Sequence, residues 1–148
     1  MYARLLVPTD GSATARKGVQ EACQLAKALG AEIQFIYVVD TRLVYADLNG
    51  AAFCSDVIQS LNEAGAAILE EAKSAAAAMG VTAWGKTVEA PASTVADIIL
   101  SEAAAWPADL IVMGTHGRRG MAEVVMGSDA QSVVKQARTP VLLVRQPA

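Results

Sequence analysis

The sequence predicts an α/β fold: an open, five-stranded, mostly parallel sheet with helices on both faces. Two observations carry that reading. Short apolar runs alternate with segments of helical period along the whole chain, the pattern of βα units stacked on one sheet. The run Leu110-Ile111-Val112-Met113 is apolar without interruption, as expected of a parallel strand covered on both faces. Crossovers between parallel strands should be right-handed.

Taken in order, Leu5-Leu6-Val7 is a short buried strand, ended by Pro8-Thr9-Asp10-Gly11-Ser12. Ala15, Val19, Ala22, Cys23, Ala26 and Leu29 recur at helical spacing, with Ser12 as cap and Gly30 as stop. Residues 33–39 form a second strand, and 40–54, which show no period, are expected to be a long loop. Val57, Leu61, Ala64, Ile68, Ala72, Ala75 and Met79 mark the second helix, closed by Gly80 in a left-handed cap. A weaker strand over 81–88 follows. Thr94 and Asp97 then form a capping box before Ile98, Ile99 and Ala103. After the fourth strand, at 110–113, comes a glycine-rich segment. The last helix carries Ala130, Val133, Val134 and Ala137; Pro140 stops it, and 141–144 is the last strand.

The 148 residues suit one domain spanning 1–148. Of the 53% hydrophobic content, 30 residues are Ala, whereas Leu, Ile, Val and Phe number 37, enough for a core and too many for a disordered chain. The longest stretch without Asp, Glu, Lys or Arg is 12 residues, at 74–85, short of the ~20 that a membrane span needs. A net charge of −3 and no basic run beyond Arg118-Arg119 argue against nucleic acid as partner. The amino terminus lacks a basic region followed by a long apolar stretch, so a cytoplasmic location is expected. Cys23 and Cys54 read as reduced thiols, Cys23 in the core.

The most informative chemistry lies at 114–128. Gly114-Thr115-His116-Gly117-Arg118-Arg119-Gly120 follows a strand, and Gly127-Ser128 opens a helix. Glycines there allow close backbone approach to a ligand. Free amides of Gly127 and Ser128 at a helix start favour an anion. Arg118 offers guanidinium donors to phosphate oxygens, and His116 suits the loop or a phosphate contact. Asp10, ending the first strand, could accept hydrogen bonds from ribose hydroxyls. Each has a purely structural alternative: turn glycines, an amino-terminal cap at Gly127-Ser128, a solvated Arg118, and Asp10 capping the first helix. All of them fall at carboxyl ends of strands, where open α/β sheets bind ligands.

The spacing Gly114-x2-Gly117-x9-Gly127-Ser128 resembles the G-x2-G-x9-G-[ST] pattern of the nucleotide-binding universal stress proteins. Val-Pro-Thr-Asp-Gly-Ser at 7–12, Tyr-Val-Val-Asp at 37–40, the block at 109–117 and Thr-Pro-Val-Leu-Leu-Val at 139–144 are similar to family blocks across the whole chain. The resemblance implies a Rossmann-like sheet of order 3-2-1-4-5. It implies an ATP site, with Pro8, Thr9 and Asp10 on the adenine and ribose side and the Val38 backbone meeting adenine. Met113, Gly114 and Gly117 would approach ribose and phosphates, while Gly127, Ser128 and the Asp129 amide hold the phosphate chain. It also implies a homodimer paired through 141–144. The glycine content of the 114–127 loop leads to the further expectation that nucleotide occupancy orders it and alters a surface read by an unidentified regulatory protein partner.

One position departs from the family's pattern: a small apolar residue is usual at 129, and here it is Asp129. Like charges ~6 Å apart repel by roughly 3 kcal/mol at an effective dielectric of ~20. Triphosphate binding should therefore be weaker than the motif implies, or more dependent on Mg²⁺. The single histidine, His116, excludes a His-rich metal site, and neither a P-loop nor a G-x-S-x-G elbow is present. No catalytic residue or protein metal ligand is assigned. The alternatives are a slow Mg²⁺-dependent ATPase and a dimeric adaptor that binds no nucleotide.

Overall fold

The computed structural model describes residues 1–47, 51–116 and 126–146. Its elements run β1 (Arg4–Pro8), α1 (Ala13–Leu29), β2 (Glu32–Val39), α2 (Arg42–Asp47), α3 (Ala51–Ala78), β3 (Ala83–Glu89), α4 (Val95–Ala105), β4 (Leu110–Gly114), α5 (Ser128–Gln136) and β5 (Val141–Val144). The five strands form one sheet of order β3-β2-β1-β4-β5. All four pairings are parallel.

Two apolar layers hold helices to the sheet. On one face Leu5, Val7, Ile33, Phe35 and Val112 meet Val19, Ala22, Cys23 and Ala26 of α1 and Leu69, Ala72 and Ala76 of α3. On the other, Leu6, Ile36, Ile111 and Met113 meet Ala96, Ile99 and Ala103 of α4 and Ala130 and Val133 of α5. Successive strand residues alternate between the layers, as the pleat requires. Alanine carries much of the helix side of both contacts, so the helices lie close to the sheet. Burial pushes the Cys23 thiol pKa up, in keeping with its core position.

The expected punctuation is present. Ser12 Oγ accepts the Ala15 N–H, and Gly30 caps α1 in the left-handed region at φ 68°. Gly80 does the same after α3 at φ 74°. Thr94 and Asp97 make the reciprocal capping box of α4.

Two readings need correction. The stretch 40–54 is not simply a loop: α2 occupies Arg42–Asp47, and α3 starts at Ala51. A helix of under two turns is too short to display a period, and it is organised locally, the Tyr45 N–H donating to the Thr41 carbonyl at 3.1 Å. Val134, counted with the apolar residues that mark the last helix, is 44% exposed. The α5 stripe narrows to Ala130 and Val133 because α5 packs along one flank. No helix among the described residues is long and apolar enough to cross a membrane.

Candidate functional site

The chain winds outward from β1 through β2 to β3, then returns to the other side of β1 with β4 and β5. The reversal falls between β1 and β4. Their ladder carries only Leu5↔Leu110 and Leu6↔Ile111, near the amino end. Beyond it, Val7 and Pro8 pair with Phe35 and Ile36 of β2. Val112, Met113 and Gly114 pair with Leu142, Leu143 and Val144 of β5. The two strands therefore part toward their carboxyl ends, opening the crevice characteristic of a switch point.

On the β1 side, the Thr9 N–H donates to the Ile36 carbonyl at 2.9 Å, and Thr9 is buried. Asp10 does not cap α1, since Ser12 does; its Oδ1 instead accepts the Ser12 N–H at 2.9 Å. The Ile36 carbonyl faces β1, so strand alternation turns the Val38 N–H and C=O the same way, one rung beyond Thr9. Pro8, Thr9, Asp10 and the Val38 backbone thus share one lip.

On the β4 side, Met113 lies with its side chain in the α4/α5 layer, so only its backbone can face the crevice. Gly114 has a second reason to be glycine. A Cβ there would lie 2.8 Å from Thr14 Cγ2 and 3.0 Å from the Thr14 carbonyl, because α1 crosses directly over it. His116 Nδ1 lies 2.9 Å from Thr115 Oγ1. His116 Nε2 is buried without a hydrogen-bond partner among the described residues. Gly117 and Arg118 lie outside the described residues.

Thr115, which the sequence reading passed over, joins the parts. Its N–H donates to the Val144 carbonyl at 3.0 Å, and its carbonyl accepts the Gly127 N–H at 2.7 Å. The α5 start is thereby drawn to the end of β4. This corrects the expectation of a free Gly127 amide: it is committed to Thr115 because the chain must close back onto β4. Ser128 and Asp129 stand exposed in the first helical turn, where amides lack intrahelical acceptors and the helix dipole favours negative charge. Gly127 caps without a side-chain bond.

A charged pair also went unread, because it sits in the presumed loop. Arg42 Nε donates to Asp40 Oδ1 at 2.9 Å and Nη2 to Oδ2 at 2.7 Å. These hydrogen bonds hold the guanidinium firmly charged, and the carboxylates of Asp129 and Asp97 act on it in the same direction. The Asp-x-Arg spacing was the available signal. A separate groove of ≈ 680 Å³ opens among Tyr45, Ser55, Ile58, Gln59, Asn62, Glu63, Ala66 and Glu89. It shares no residue with the crevice, and its carboxylates are engaged by neighbouring amides, Gln59 to Glu63 and Asn62 to Glu89.

Relatives agree with this geometry. The universal stress protein MJ0531 of Methanocaldococcus jannaschii is 34% identical over 148 residues, covering 99% of this chain and 84% of that protein. The solved structure of MJ0577 from the same organism superposes with a TM-score of 0.87 at 25% identity, covering 100% of this chain and 99% of that one. A universal stress protein solved in complex with cAMP gives a TM-score of 0.69 at 26% identity, with 97% of each chain covered. The family model described as the universal stress protein family matches residues 1–145. From its first strand to its last, the chain belongs to the universal stress protein family.

Proposed function

We propose that the chain is a cytoplasmic adenine-nucleotide-binding module, taking ATP, with or without Mg²⁺, and acting as a homodimer whose nucleotide state a regulatory protein reads. The observation that carries this is the parting of β1 from β4 directly below Asp10, Gly114 and the start of α5. The cAMP complex of a relative at 26% identity supports the ligand class. Asp10 would accept from ribose hydroxyls, with Pro8 and Thr9 beside it and the Val38 backbone toward the base. The backbone at Gly114, and Gly117 in the segment that follows, would approach the sugar and phosphates. His116 and Arg118 would serve as phosphate contacts, and Ser128 and the Asp129 amide would meet the phosphate chain.

Among the described residues no group of three His, Cys, Asp or Glu could hold a metal. Mg²⁺ would therefore arrive on the phosphates, keeping most of its waters, rather than sit in a protein cage. The dimer would pair the edge strand β5, where Leu142 is 39% exposed and an uncovered strand invites pairing.

The test is mass spectrometry of the denatured, purified protein. It is followed by calorimetric titration of ATP, with and without Mg²⁺, into wild type and Asp129→Val, and by light scattering of the same sample. Carried-over ATP or AMP is expected, with tighter binding by Asp129→Val and twice the chain mass. Neither carried-over nor titrated nucleotide would favour the adaptor reading, which the committed Gly127 amide and the Asp129 carboxylate keep in play. Equal affinities in all four titrations would remove the role given to Asp129, and a monomer would remove the dimer.

A further inference from the structure

The turn that carries Asp10 from β1 to α1 passes through Gly11, which occupies the left-handed region at φ 78°. Short-range bonds brace this turn from within. Asp10 Oδ1 accepts the Ser12 N–H at 2.9 Å, and Thr9 Oγ1 accepts the Gly11 N–H at 3.4 Å. Bonds that span two residues fix the internal shape of a turn, not its tilt against the sheet. The tilt has another support. A Cβ on Gly11 would lie 2.8 Å from Ile68 Cδ1 and 3.0 Å from Ile68 Cγ1, so the Ile68 side chain of α3 fills the space behind the turn. Because α3 packs on β2 and β3, whereas the crevice opens on the other flank of β1, Ile68 limits how far the turn can lean away from the crevice.

The same stretch of α3 reaches the second segment of this lip. Gly65 stands three residues before Ile68, on the same helix face. A Cβ there would collide with the Tyr37 ring, which therefore rests against the helix backbone. Tyr37 is buried and immediately precedes Val38. Gly65 and Ile68 thus back both pieces of the lip, one behind the residue before Val38 and the other behind the residue after Asp10.

Resting on the nucleotide reading, we propose that Ile68 is a positioning residue for ribose recognition, pressing on Gly11 so that the Asp10 carboxylate stays over the sugar. Hydrogen bonds weaken steeply with misalignment. A void behind the turn gives it room to relax, because a packed site collapses only partly when a side chain is cut back. The contacts assigned to Val38, Gly114 and the start of α5 do not run through Gly11, so the loss falls on the sugar rather than on the base or the phosphates.

The experiment is calorimetric titration of ATP and 2′,3′-dideoxyATP, which lacks both ribose hydroxyls, into wild type, Ile68→Ala and Ile68→Val. Wild type is expected to prefer ATP about tenfold, the worth of one charge-assisted hydrogen bond. In Ile68→Ala the preference should fall below about threefold, with dideoxyATP affinity changed less than about twofold. Ile68→Val, which retains both γ carbons, should keep most of the preference. Equal weakening of both nucleotides, the mark of a merely structural role, or an unchanged preference would overturn the assignment, as would a wild type that binds both alike. A wild type that binds neither overturns the nucleotide reading and the assignment with it. The contact itself is tested without nucleotide: Gly11→Ala should lower the urea midpoint less in the Ile68→Ala background than in wild type, since the side chain it meets is gone. Equal losses in the two backgrounds would show that Ile68 does not support the turn.

Discussion

The two ends of the sheet solve the same problem in different ways. At the amino end, polar groups are tied across the whole chain. Asp109 Oδ2 accepts the N–H groups of Ala3 and Arg4 at 2.9 Å each, while the Asp109 N–H donates to the Arg4 carbonyl. Arg4 also pairs with Glu32 on the next strand. At the carboxyl end, backbone bonds such as Thr115 to Val144 still reach across the sheet, but the side-chain ties of the segments that follow the strands are local: Asp10 to Ser12, Asp40 to Arg42, Thr94 to Asp97, Thr115 to His116. Both buried side-chain polar atoms without a partner among the described residues, Thr41 Oγ1 and His116 Nε2, belong to segments following strands at that end. Long-range ties define a fold and are costly to exchange. Ties between neighbours can be traded for a ligand without opening the protein.

The sharpest way to break that contrast is Gly114→Ala. It lies at the carboxyl end, yet its Cβ would meet the α1 backbone at 3.0 Å. Urea denaturation should show a loss of about 1–3 kcal/mol from overpacking. An unchanged midpoint would mean that α1 yields freely there. Next is Thr94→Ala, which removes one half of a reciprocal cap. A loss of about 1 kcal/mol is expected, again by urea, with no effect beyond α4 on amide hydrogen exchange.

The smallest effect is at the amino end and depends on pH. The two backbone N–H donors hold the Asp109 carboxyl below the ordinary range, which lies near about 4. The folded state therefore binds this proton less readily than the unfolded chain. Its contribution to stability is present above about pH 4 and disappears as pH falls through the depressed folded value. Asp109→Asn should be less stable than wild type at neutral pH, and the gap should close in acid. A gap constant from neutral to acid would show that the charge is immaterial.

The same contrast explains what could be read from the sequence. Ser12, Gly30, Gly80 and the Thr94/Asp97 box were legible because a cap declares itself within three or four residues. The β1/β4 switch point followed from family resemblance, since no local spacing reports which strand lies beside which. Asp109 was invisible as a tie because its partners lie more than a hundred residues away. Arg42 was missed because a six-residue helix carries no period. Gly114 was read as room for a ligand, whereas the close crossing of Thr14 is sufficient reason for it.

Thr115 has a mechanical consequence. One face of its backbone closes the last rung toward Val144, and the other grips the entrance of α5 through Gly127. A displacement of this residue as a whole strains both bonds at once, since its own N–H and C=O make them. It behaves as a hinge pin shared by two leaves, the outermost strand and the last helix. Whatever pulls on the helix entrance at Gly127 is felt at the rim of the sheet, at Val144, 17 residues farther along the chain.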